Sequence, residues 1–250
     1  MKHATTIVLT LLLLAGNALA ISKLELGESD GFAESVQVSD YDAEKGTVRL
    51  ITPDGVEAKP LSEFSDPVQQ KILNWYADKV FMSSSGLRIK VKEQEREEER
   101  DDGEVMFIKY IITLENRSNV MLSGIRLTSR VFLDQWNAKI EDDDLQIYKE
   151  FRFLADLRSG STKVFRTKPI AVRDYVKKEL KVNADGESGH IGIQVEDKLQ
   201  GMLLTVEKKS FDGTTLVRTE KEGRPPKEKK AAEYKYQEYK GQDFETSRFL

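Results

Sequence analysis

The chain has no cysteine in its 250 residues, so a disulfide framework, a cysteine nucleophile and a thiolate metal site are all excluded. Histidine is nearly as scarce. His3 lies in the first twenty residues, which leaves His190 as the one imidazole for acid–base work. With 6 prolines and 16 glycines, the sequence is far from a collagen-like or low-complexity composition. Excess charge of one sign is missing too: 39 Lys and Arg stand against 43 Asp and Glu, a formal charge of -4 with the signs interspersed. No basic stripe offers itself to a phosphate backbone, so nucleic acid is not an expected partner. What is present is a globular mixture, 39% hydrophobic and 33% charged, long enough for one large domain or two small ones.

The main uninterrupted apolar segment stands at the start. Lys2 supplies positive charge, Ile7 to Ala15 form a short apolar run, and Ala18-Leu19-Ala20 has the small-x-small spacing of a cleavage site. A membrane span needs about 20 apolar residues, and Thr10, Gly16 and Asn17 interrupt this one. The expectation is therefore a signal peptide over residues 1–20, cleaved after Ala20, and a secreted or periplasmic mature chain. Because no Cys follows the cleavage site, a lipid-anchored form is not expected, and neither is an integral membrane segment after cleavage.

Beyond a short polar leader, Val36 and Val38 alternate, Val48 and Leu50 alternate, and Pro53-Asp54-Gly55 marks a turn before Val56-Glu57-Ala58. Ser65 can cap a helix whose first turn holds Asp66 and Pro67. Val68, Ile72, Leu73 and Tyr76 then recur at helical spacing, and the helix is expected to end near Asp78.

Gly46-x-Val48-x-Leu50, Asp54-Gly55, Pro60-Leu61-Ser62-x-Phe64-Ser65 and Gln69 together resemble the small SH3-like barrel known as the Sla homology domain, first described in a yeast endocytic adaptor and also met in exported bacterial proteins. The resemblance covers residues 31–81. Val68 stands where that family places an acidic residue before the glutamine. The resemblance implies an SH3-like barrel with a C-terminal helix and, since the adaptor's domain binds Asn-Pro-Phe-x-Asp peptides, a peptide-binding surface. No residue of that peptide site is matched here, so the peptide-binding residues are unassigned.

Ser83-Ser84-Ser85-Gly86 reads as a linker, placed at residues 82–86. After it Leu87, Ile89 and Val91 alternate. The charged stretch from Glu93 to Glu104 reads either as a long hairpin connection or, from Glu93 to Arg100, as a solvated helix; Val105 to Leu114 is a strand. Strands are expected over Leu122 to Leu133, Gln146 to Leu154, Lys163 to Lys168, Met202 to Lys208 and Thr215 to Thr219, with Asp212-Gly213 closing the last hairpin and Ala171 to Leu180 as a short helix. The pattern Tyr110-x-x-x-Leu114-x-Asn116, then Leu122-x-Gly124-Ile125, resembles the central strand pair of immunoglobulin-like sandwiches in envelope proteins. The expected fold is thus all-β in two domains, the barrel and an immunoglobulin-like Greek-key β-sandwich over residues 87–220, followed by a flexible charged tail over 221–250.

No reactive centre stands out. His190, in Gly186-x-x-Gly189-His190, reads as a loop residue, and no Gly-x-Ser-x-Gly elbow presents a serine to it. Asp142-Asp143-Asp144 lacks the spacing of a calcium loop and reads as a solvated acidic loop. Trp136 reads as a core plug at a strand end. Asn116-Arg117-Ser118 matches a glycosylation sequon at a tight turn, and Tyr234, Tyr236 and Tyr239 punctuate the tail. No catalytic, cofactor or metal residue is assigned. The expectation is a non-enzymatic binding or scaffold protein of the bacterial envelope that recognises protein or peptide partners by edge pairing. A carbohydrate-binding or carbohydrate-active sandwich, motivated by Trp75, Trp136 and the tyrosines, is the alternative.

Overall fold

The computed structural model describes residues 21, 23–100, 103–137, 142–182 and 188–237; the expected signal peptide lies outside them. Four short strands open the fold: β1 (Leu24–Leu26), β2 (Val36–Asp42), β3 (Thr47–Thr52) and β4 (Gly55–Pro60). They pair antiparallel in the order β1-β2-β3-β4, an open meander with no β1 to β4 closure. Alternation places Val36, Val38, Val48 and Leu50 on one buried face. On that face lies α1 (Asp66–Met82), which contributes Val68, Ile72 and Trp75 to a core completed by Phe64.

Ser65 occupies the N-cap but its hydroxyl makes no capping bond. The start of the helix is held by the Gln69 side-chain amide, which donates to the Phe64 carbonyl at 2.7 Å. The helix also runs a turn past Asp78. Ala77, Val80 and Phe81 explain the extension, because they bury against a second core. One helix thus has two apolar faces, and each belongs to a different sheet system.

That second system is a β-sandwich. One sheet joins β5 (Leu87–Arg100), β6 (Gly103–Asn116), β9 (Thr162–Arg166), β10 (Ile170–Val182) and β11 (Ser188–Glu196) in the order β11-β10-β6-β5, with β9 also on β6. The other joins β7 (Leu122–Asn137), β8 (Asp142–Leu157), β12 (Lys198–Lys209), β13 (Thr215–Gly223) and β14 (Lys235–Gln237) in the order β13-β12-β7-β8-β14. Between them lie Tyr110, Ile112 and Leu114 from β6, Ile125, Leu127 and Val131 from β7, and Met202, Leu204 and Val206 from β12.

Several expectations are corrected. Ala171 to Leu180 is not a helix; it lies within β10, paired to both β6 and β11. Val172, Val176 and Leu180 are four apart, and four residues are both one helical turn and two strand repeats, so the spacing was ambiguous. Glu93 to Arg100 is neither connection nor helix, since β5 pairs with β6 through to Arg100 opposite Gly103. Of the residues read as a linker, Met82 ends α1 and Gly86 is closely packed, while Ser84 and Ser85 are exposed. The Gly86 carbonyl accepts from Arg117 N–H at 2.8 Å, and a β-carbon on Gly86 would stand 2.7 Å from the Val80 carbonyl oxygen. The tail is also ordered in part, because 221–223 finish β13 and α2 (Glu228–Ala231) leads into β14.

Candidate binding edge

β8 is paired along its length by β7 on one side. On its other side β14 runs parallel to it and meets only Gln146, Ile147 and Tyr148. From Lys149 onward no described residue pairs with that edge. Opposite Ala155 the ladder is interrupted at Gly124, whose φ of 69° sits between the pairs Ser123–Asp156 and Ile125–Leu154, so the continuous stretch that no described residue pairs on its outer side is Lys149 to Leu154.

The strand period of two sorts its side chains. Tyr148 and Leu154 pack against the sandwich core, which puts Glu150 and Arg152 on the same inward face and Lys149, Phe151 and Phe153 on the outward one. Phe151 is 59% and Phe153 66% exposed, high for large apolar side chains side by side on one sheet. The Lys149 ammonium sits 4.4 Å from the Phe151 ring centre. On the inner face Arg152 Nη2 lies 3.1 Å from Glu150 Oε2, and Lys168 N–H donates to Glu150 Oε1 at 2.6 Å. Behind this edge the gap between the sheets is lined by Ile112, Leu127, Ser129 and Phe165.

β14 is fastened by Tyr234. This ring is buried edge-to-face on Phe132, with centroids 5.3 Å apart, and its hydroxyl donates to Asp134 Oδ1 at 2.5 Å. Burial, and then the Asp134 carboxylate, push the Tyr234 phenol above its ordinary range. A core role for one of the tail tyrosines was not legible in a segment that otherwise reads as Lys and Glu.

A second concavity, a cleft of about 310 Å3, lies at the junction of α1 with the sandwich and is lined by Tyr76, Lys79, Ser83, Arg117 and Ser118 among others. Its cations are already paired, Lys79 with Asp40 at 3.2 Å and Arg117 with Glu115 at 2.9 Å, so it carries no uncompensated charge to select a ligand.

The remaining candidates fall elsewhere. His190 is on β11 rather than in a loop, exposed and opposite Leu180. Asp142, Asp143 and Asp144 begin β8; Asp144 accepts from Asn137 Nδ2 at 2.6 Å. Among the described residues no group of three or more His, Asp or Glu side chains gathers closely enough to hold a metal ion. Trp75 is 1% exposed and inside the first core, so it offers no face to a sugar. Trp136 is half-buried, with its peptide N–H held by Asp197 at 2.9 Å. Asn116 is fully buried, and its amide donates to the Val120 and Leu157 carbonyls at 2.7 and 3.0 Å, so the sequon asparagine is a turn anchor. Among the described residues no helix is long and apolar enough to cross a membrane.

No protein-family model and no curated protein matches the chain. Among solved structures, one described as "X-ray structure of Northeast Structural Genomics Consortium target SoR45" superposes on 57% of this chain and 91% of its own, at 10% identity and a TM-score of 0.27, too loose a likeness to carry an argument.

Proposed function

We propose that this chain is an exported, non-enzymatic binding or scaffold protein of the bacterial envelope that takes protein or peptide partners by strand addition at the free edge of β8. One observation supports this above the rest: the edge already accepts an extended segment, β14, and beyond it no described residue pairs with the stretch that carries two exposed phenylalanines. In strand addition the main-chain bonds give affinity, and pockets for alternate side chains give selectivity. Here Phe151, Phe153, Lys149 and the neighbouring Arg126 form the outward face, which suits a segment alternating apolar with acidic residues. Within this reading the unit that resembles the Sla homology domain packs on the immunoglobulin-like sandwich through α1 and leaves that edge uncovered.

The test is an array of nine-residue peptides probed with the full chain and with a Phe151→Asp/Phe153→Asp variant. Alternating apolar and acidic peptides are expected to bind the wild type and to lose at least tenfold with the variant, its circular dichroism unchanged. Equal binding by both proteins, or none by either, would overturn the proposal.

A further inference from the structure

We infer that the partner seated on the β8 edge is a second copy of this chain, paired antiparallel about a two-fold axis at Phe151. This deepens the binding-edge reading above and rests on it. The argument starts from the order of five residues, Lys149-Glu150-Phe151-Arg152-Phe153, and from their observed faces. In an antiparallel pair centred on Phe151, each residue meets the one at the mirrored position of the other copy. Outward, Phe151 meets Phe151, and Lys149 meets Phe153 of the second copy, which repeats between chains the ammonium-on-ring contact that Lys149 already makes with Phe151 at 4.4 Å. Inward, Glu150 meets Arg152 of the second copy, so each carboxylate faces a guanidinium.

The neighbouring registers that keep the same faces fail this match. Moving the axis to Arg152 sets the two arginines against each other, and moving it to Glu150 does the same with the two glutamates. Like charges directly opposed are unfavourable. Inward charges on an edge strand ordinarily guard it against pairing. This pair, of opposite sign and two residues apart, admits a partner that carries the same pair in reverse, and a second copy always does. A two-fold contact of this kind closes on itself and joins the outer sheets of the two copies into one.

The surroundings set the length of the contact. The interruption of the ladder at Gly124 and Ala155 ends the continuous edge on one side. On the other, the second copy's Leu154 would come opposite Tyr148, which is already paired with Gln237, so the last residue of β14 must lift. A ladder this short gives weak association, which calls for measurement from micromolar to millimolar protein.

The absence of cysteine allows a clean test with the full chain. Directly opposed antiparallel residues have Cα atoms about 4.5 to 5.5 Å apart, within disulfide reach. Under a mild oxidant, Phe151→Cys is expected to cross-link to a dimer, the two thiols losing two electrons and two protons to the oxidant. Phe153→Cys, some four residues from its own mate, is not. Sedimentation equilibrium supplies the second arm: Arg152→Glu is expected to weaken dimerisation at least tenfold, and the double reversal Glu150→Arg/Arg152→Glu to restore it to within threefold.

A wild type that stays monomeric at millimolar concentration overturns the inference. So does a dimer indifferent to Arg152→Glu, or one cross-linked equally by both cysteines. If the dimer is absent and peptide binding still depends on Phe151 and Phe153, the edge reading survives and the second copy does not; if both are absent, both fall.

Discussion

Lys208, on β12, donates its ammonium protons to the Asp78 carboxylate of α1, 130 residues earlier in the chain. The other Asp78 oxygen accepts from the Ser210 hydroxyl at 2.6 Å and from Phe211 N–H at 2.9 Å. Both charged side chains are nearly out of reach of water. This buried pair, together with Arg218 Nη1 donating to the Phe81 and Leu87 carbonyls at 3.0 and 2.6 Å, fastens the helix to the sandwich. Removing one member of such a pair strands the other, so Asp78→Ala should cost about 3–5 kcal/mol, and Asp78→Leu/Lys208→Met considerably less. Urea unfolding followed by tryptophan fluorescence measures both.

The same junction makes a statement about cooperativity. Because α1 gives Ile72 and Trp75 to one core and Val80 and Phe81 to the other, neither core keeps its packing if the helix leaves. Wild-type unfolding is therefore expected as a single transition with coincident far-UV dichroism and fluorescence curves. Two resolved transitions would mean that the units are independent.

Asp197 ties three elements together. Its carboxylate accepts from Arg173 Nε and Nη2 at 2.8 and 2.9 Å, from the Arg173 N–H at 3.0 Å and from the Trp136 N–H at 2.9 Å. The bidentate carboxylate holds the Arg173 guanidinium above even its ordinary range, against the effect of its partial burial. Asp197→Ala should cost about 3–5 kcal/mol by leaving that cation uncompensated. Arg173→Lys should cost less but still be measurable, because an ammonium cannot form the two-pronged contact. Urea unfolding gives the loss, and a red shift of Trp136 emission its location.

Two carboxylates give pH dependences of opposite sign. Hydrogen bonds from Lys71 at 2.9 and 3.1 Å, aided by Gly27 N–H, hold Asp30 below the usual carboxylate range. A folded pKa below the unfolded one, about 3.9, contributes stability that is present above that value and lost as the pH falls through the lowered one. The melting-temperature deficit of Asp30→Asn should thus be seen at neutral pH and close below about pH 4. Glu95 is held above its ordinary range by sharing a hydrogen bond with Glu93, so its contribution falls as the pH rises through the carboxylate range. Glu95→Gln should stabilise at neutral pH and be neutral in acid.

Tyr234→Phe removes a hydrogen bond to a buried carboxylate while keeping the ring on Phe132. The expected loss is about 1.5–3 kcal/mol, confined to the C-terminal segment. Faster amide exchange at residues 146–148 and 235–237, with exchange in β12 unchanged, is the signature; a uniform rise would place the bond in global stability.

Much of the β content was readable because alternation is a local signal. Val36 with Val38, Val48 with Leu50, and Asp212-Gly213 carry period and turn within a few residues. The signal failed where four-residue spacing satisfied helix and strand alike, in Ala171 to Leu180, and where no apolar residue was present, in Glu93 to Arg100. In the second case a neighbour supplied what the strand lacked: β6 is apolar from Val105 to Ile112 apart from Lys109, and β5 needed only main-chain hydrogen bonds to lie against it. The candidate edge was half legible. Lys149-Glu150-Phe151-Arg152-Phe153 announces two phenylalanines on one face, but a period of two cannot say which face meets solvent or which strand ends a sheet.

By itself the sequence determined the all-β class, the helix after Ser65 and the absence of thiol chemistry, because each follows from residue type and spacing along the chain. The tertiary structure alone decided that α1 serves two cores, that Tyr234 returns to cover Phe132, and that no described residue pairs with the outer edge of β8 beyond Tyr148. Those outcomes depend on which segments find each other across as many as 137 residues, and contact between distant segments leaves no periodic trace in either one.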